Sequence, residues 1–169
     1  IRLVIFTLLP AWGLANATAT FVGQNLGAEQ ADRAEKGVWM SLKLITAYML
    51  IVGVVYVLAA EPLVYAFAEA EAARQPGVLA LRIFGFGYAL FGAGMAFSNA
   101  FNGAGDTRTP TLLYFIAFWI IEMPLGYLFG IQFEWGLAGV CYALLIANGV
   151  LGILAYALFN TGKWKTVKV

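Results

Sequence analysis

The chain has 169 residues, 62% of them hydrophobic and only 11% charged, with a net charge of +1 and a mean hydropathy of +0.83. Soluble domains carry about 25% charged residues, so a wetted globular surface is excluded, as are disordered and collagen-like chains. The charge balance leaves no basic stretch for a nucleic acid, the absence of His removes His-centred catalysis and His-ligated metals, and the lone Cys141 forms no internal disulfide.

What remains is an all-α, polytopic integral membrane protein whose partner is the lipid bilayer. A bilayer core about 30 Å thick needs about 20 helical residues, and the gaps between charges place five such helices. The runs are continuous rather than alternating, which excludes barrel strands. The first helix covers about 3–26, inside a charge-free stretch at 3–28. Pro10 is expected to bend it and Gly27 to close it as a C-cap. It carries the polar residues Asn16, Thr18, Thr20, Gln24 and Asn25. Because the chain opens at Ile1 on an apolar run, it reads as an internal piece of a longer polypeptide.

The second helix covers about 37–60, opened by Asp32 and Glu35 at capping-box spacing. Pro62 and Pro76 bracket a long connection to the third, about 78–101, where Gly92, Ala96 and Ala100 repeat every four residues beside Ser98 and Asn99. Such small-residue rows let membrane helices approach closely. Thr109 and Pro110 read as N-cap and first residue of the fourth helix, about 110–131. A tight link over 133–136 leads into the fifth, about 136–159, with Gly149 and Gly152 around Asn148.

Glu122 is the one acid in mid-span. Such residues are expensive in lipid and face a bundle interior or a water-filled path. Two residues later Pro124 lacks an N–H, which bends the helix and frees the carbonyl of Ile120. A carboxylate beside an unpaired carbonyl can take up a proton or a small cation. Basic residues set the orientation. Arg33, Lys36, Lys43, Arg108, Lys163, Lys165 and Lys168 lie on one side, against Arg2, Arg74 and Arg82 on the other. The C-terminal tail is therefore expected in the cytoplasm and Ile1 towards the outer side. Trp39, Trp135 and Trp164, near helix ends, are expected to be interfacial anchors.

Two stretches carry a family resemblance. Gly23-Gln24-Asn25-Leu26-Gly27-Ala28, followed by Ala31, Arg33 and Ala34, resembles the GQNLGA signature after the second helix of a MATE lobe. Asn102-Gly103-Ala104-Gly105-Asp106-Thr107-Arg108-Thr109-Pro110 resembles that family's GAGDTRTP loop after the fourth helix. The resemblance implies twelve helices in two six-helix lobes, of which residues 1–169 are helices eight to twelve, an incomplete C-terminal lobe. It implies an antiporter, not an enzyme, in the cell membrane, exporting small organic, often cationic, drugs or toxins by alternating access. Its implied partners are that substrate and the N-terminal lobe of the same polypeptide. No cofactor is implied beyond a coupling ion, Na+ or H+.

Many sodium-coupled members carry an acid in the helix before the GAGDT loop, but here 83–105 hold none. Glu122 is therefore the candidate coupling residue. Asn16, Gln24, Tyr88, Asn99 and Asn148 are candidates for the substrate cavity, and Pro10 and Pro124 for helix kinks. A lipid-linked oligosaccharide flippase of the same superfamily is the alternative, although it needs mid-span cations that are scarce here. A non-catalytic membrane scaffold is the other.

Overall fold

A computed structural model describes residues 2–68 and 70–166, so Ile1 and Lys168, both used in the orientation argument, lie outside the described residues. Five long helices and one short one follow in order: α1 (Arg2–Gly27), α2 (Ala31–Leu58), α3 (Ala60–Phe67), α4 (Arg74–Gly103), α5 (Arg108–Gln132) and α6 (Gly136–Asn160). All except α3 are long and apolar enough to cross a membrane. Among the described residues there is no strand.

The helix ends differ in detail from the sequence expectation. The left-handed residue after α1 is Glu29 (φ 58°), not Gly27, which is the last helical residue. The N-cap of α2 is Gln30 with no side-chain bond, so Asp32 and Glu35 form no capping box. Glu35 instead pairs with Lys165 in the 3₁₀ turn Lys163–Thr166 after α6. At α5 the capping acceptor is Asp106, which takes the Thr109 N–H at 3.0 Å and the Thr109 hydroxyl as well. A carboxylate outcompetes a hydroxyl for these donors because its charge strengthens the bond. The connection bracketed by prolines is half helical: Pro62 sits in the first turn of α3, where its missing N–H is not needed.

Glycines set the packing register. A Cβ on Gly53 would lie 2.5 Å from the carbonyl oxygen of Gly85, and one on Gly85 2.7 Å from that of Gly53. With Gly92 against Ile45 and Met49, this makes α2 and α4 antiparallel. Gly87 faces Leu145 and Gly94 faces Leu151, so α4 and α6 run parallel. Gly103 lies against the backbone of Ala19 near the end of both helices, and Thr7 bonds Tyr88 nearer their starts, which sets α1 parallel to α4. Only residues without side chains allow helix axes this close.

Helix α4 is the centre, and two apolar clusters fill the bundle along its length. One joins Val22, Val38, Phe97, Phe101, Leu151 and Phe159, and the other Ala15, Ile45, Met49, Tyr56, Leu81 and Met95. Large apolar side chains cover the outside, among them Phe6, Leu58, Phe86, Trp119 and Ile153, as a lipid-facing surface requires. Of the three tryptophans expected at the interface, only Trp135 is exposed. Trp39 packs edge-on against Phe97 and Phe159, both at 5.9 Å. Trp164 is 1% exposed, stacks on Phe159 at 4.8 Å and donates its indole N–H to the Phe159 carbonyl.

Candidate functional site

The site begins with Pro124. Because it has no N–H to donate, α5 winds as a π-helix over Ile116–Glu122, returns to α over Met123–Tyr127, and is π again over Leu128–Gln132. The Met123 N–H reaches five residues back to the Phe118 carbonyl. The turn before the proline is thus rewound. Such π segments concentrate at functional positions. In α1 the helix runs unbroken through Pro10, which is exposed.

Glu122 ends the first π segment and lines a cleft of about 890 Å³ between α3, α4, α5, α6 and the start of α1. The wall is overwhelmingly apolar, with Phe84, Phe91, Phe118, Leu144 and Leu145 among its residues. Three sequence candidates come together on it: Glu122, Tyr88 and Asn148. Glu122 Oε2 is buried and has no hydrogen-bond partner. Asn148, 2% exposed, donates Nδ2 to the Leu144 carbonyl at 2.8 Å and leaves Oδ1 buried and unpartnered. Buried polar atoms are nearly always paired, so two orphan acceptors on one cleft are informative.

The remaining candidates lie elsewhere. Asn16 and Gln24 are exposed on α1, in one stripe with Thr20, whose hydroxyl donates to the Asn16 carbonyl at 3.3 Å. Asn99 is half-buried and donates to the Met95 carbonyl at 3.0 Å. The α1–α4 register that pairs Gly103 with Ala19 sets Asn99 level with Ala15 and Asn16.

One polar feature escaped the sequence reading. Thr7 Oγ1 bonds the Tyr56 hydroxyl at 2.5 Å and the Tyr88 hydroxyl at 2.7 Å. The Tyr48 hydroxyl donates to the Thr7 carbonyl at 2.9 Å, Tyr56 to the Leu3 carbonyl at 3.0 Å, and Tyr88 to the Val4 carbonyl at 3.2 Å. This network ties α1, α2 and α4 together, and every hydroxyl in it is satisfied. The available signal was Tyr48 and Tyr56 eight residues apart on one helix face. Among the described residues no group of three or more His, Cys, Asp or Glu side chains can hold a metal.

Comparison with known proteins bears on what such a bundle is. The family model described as MatE matches residues 1–128. The chain belongs to the MatE family. It is 26% identical over 169 residues to an uncharacterized transporter, YisQ, of Bacillus subtilis, covering 96% of this chain and 36% of that protein. It is 23% identical to a probable multidrug resistance protein, NorM, of Thermotoga maritima, covering 94% of this chain and 34% of that one. This MatE chain thus spans about a third of the length of the curated relatives it matches. Among solved structures, the MATE transporter ClbM in complex with Rb+ superposes with a TM-score of 0.87 at 24% identity, over 97% of this chain and 39% of that one. The shared fold is that of the MATE bundle.

Proposed function

We propose that this MatE chain is the greater part of the C-terminal lobe, helices eight to twelve, of a secondary antiporter in the cell membrane. The full-length protein exports small organic, often cationic, compounds in exchange for Na+ or H+, with the C-terminal tail cytoplasmic. The observation that carries the reading is Glu122: an acid in the middle of a membrane-length helix, with one oxygen buried and unpartnered, on the wall of a cleft. Family membership across residues 1–128 supports transport over a scaffold. The cleft volume lies in the range of about 300–1,000 Å³ that small-molecule sites occupy.

In this reading the polar stripe of Asn16, Thr20 and Gln24 is too costly to face lipid and turns instead to the aqueous cavity shared with the other lobe. Asn99 supports that cavity at the same depth, while Tyr88 and Asn148 support the Glu122 cleft. Ion uptake at Glu122 favours one orientation of the lobes by its differential affinity for the two states. The test is reconstitution of the full-length protein in liposomes carrying a fluorescent organic cation. Efflux driven by a sodium or pH gradient and lost in Glu122→Gln is expected. Gradient-driven efflux unchanged in Glu122→Gln would remove Glu122 from the mechanism.

A further inference from the structure

The two orphan acceptors of the cleft belong to neighbouring antiparallel helices, α5 and α6. A Cβ on Gly139 would meet the backbone of Phe129 and Gly130, and one on Gly126 would lie 3.9 Å from the Ala143 Cβ. Moving four residues back along α5 and four forward along α6 keeps this register, so the next pair is Glu122 with Ala147, the neighbour of Asn148. Both side chains line the same cleft. The orientation of the Asn148 amide is set by the Leu144 carbonyl, which takes an N–H and leaves Oδ1 buried without a partner.

Two acceptors with no donor between them are a costly arrangement in an apolar wall. A carboxylic acid removes the conflict, since a protonated Glu122 carries the O–H that Asn148 Oδ1 lacks. An alkali cation fits poorly. Stripped of water it needs a shell of oxygens, and among the described residues the unpartnered side-chain oxygens on this wall are those of Glu122 and Asn148. The Tyr88 hydroxyl is already engaged by Thr7 and the Val4 carbonyl. Among the described residues the other charged or titratable groups on the wall are Arg2 of α1, Tyr88 of α4 and Cys141 of α6. Tyr114 and Tyr127 of α5 do not line it.

We infer that Glu122 and Asn148 form a proton-dependent clasp between α5 and α6: the protonated Glu122 donates to Asn148 Oδ1, directly or through one water, and loss of the proton releases the pair. This rests on the reading of Glu122 as the coupling group, and it selects H+ over an alkali cation there. Asn148 is a positioning residue that acts through Glu122. Hydrogen bonding to the neutral acid favours that form, so removing the acceptor makes the proton leave more easily and moves the titration to lower pH.

The experiment is an infrared titration of the purified full-length protein, following the carboxylic C=O band that disappears in Glu122→Gln. In wild type the band is expected to be insensitive to Na+. In Asn148→Leu it is expected at higher frequency, with a midpoint at least about tenfold higher in proton concentration. Asn148→Gln, which keeps the acceptor on a longer arm, is expected to restore part of both shifts, a rescue that a purely structural role would not give. A band unmoved by Asn148→Leu, or one abolished by Na+ at constant pH, overturns the clasp. If Asn148→Leu does not fold, Asn148→Ala in the same titration carries the same two expectations and the same refutation. Failure of the wild type to move any substrate under either gradient would sink the transport reading alone, since the titration needs no transport.

Discussion

The α1–α2–α4 side of the bundle and the α5–α6 side solve the same problem in opposite ways. On the first side helices meet at glycines, Gly53 with Gly85 and Gly23 with Gly103, and regular α-helical winding runs throughout. Its hydroxyl network of Thr7, Tyr48, Tyr56 and Tyr88 is satisfied internally and by the carbonyls of α1, although Thr46 Oγ1 of α2 and Ser98 Oγ of α4 are buried without a partner. On the second side α5 is rewound twice around Pro124, and Glu122 and Asn148 each keep a buried oxygen with no partner. Since satisfied networks rigidify, and since of the orphan oxygens of Thr46, Ser98, Glu122 and Asn148 only that of Glu122 belongs to a group that readily takes up a proton, the first side is built to hold and the second to respond.

This contrast can be broken at points of decreasing expected effect. Gly53→Val forces a side chain onto the Gly85 carbonyl, where backbone must move. A loss of roughly 3 kcal/mol is expected, seen as a lowered thermal unfolding temperature in detergent. Thr7→Val removes the hub of the hydroxyl network but leaves Tyr56 and Tyr88 their carbonyl acceptors. The cost is therefore about 1 kcal/mol, within the range measured for hydrogen bonds between membrane helices. Gly149→Ala sits where the nearest side chain, Leu90, is 3.8 Å from the new methyl. It is expected to raise stability by about 0.5 kcal/mol through lower unfolded-state entropy. A Gly149→Ala loss as large as that of Gly53→Val would mean that Gly149 is as closely packed as Gly53.

Much of the frame was legible because charge is so costly in lipid: the gaps between charged residues located five membrane-length helices, and Glu122 stood out as the exception to its span. Sequence spacing also brought Tyr88, Asn148 and Glu122 into consideration, yet nothing in it placed those three on one cleft and Asn16, Gln24 and Asn99 elsewhere. That sorting depends on helix register, which glycines fix only once partners are known. The Glu35–Lys165 pair shows the same limit, since Glu35 looked like a capping residue until a partner 130 residues away claimed it. Trp164 looked like an anchor until its ring was found stacked on Phe159. The hydroxyl network joins residues from three helices at one depth, and the rewinding of α5 is a backbone response that Pro124 announces without specifying.

The most direct test sets the two sides against each other in one protein: Glu122→Gln and Thr7→Val in the full-length chain, each measured for thermal unfolding and for gradient-driven efflux from liposomes. The account predicts that Glu122→Gln abolishes coupled efflux while stability changes by less than about 1 kcal/mol, and that Thr7→Val lowers stability while efflux persists. Coupled efflux that survives Glu122→Gln, with the unfolding temperature falling instead, would contradict it.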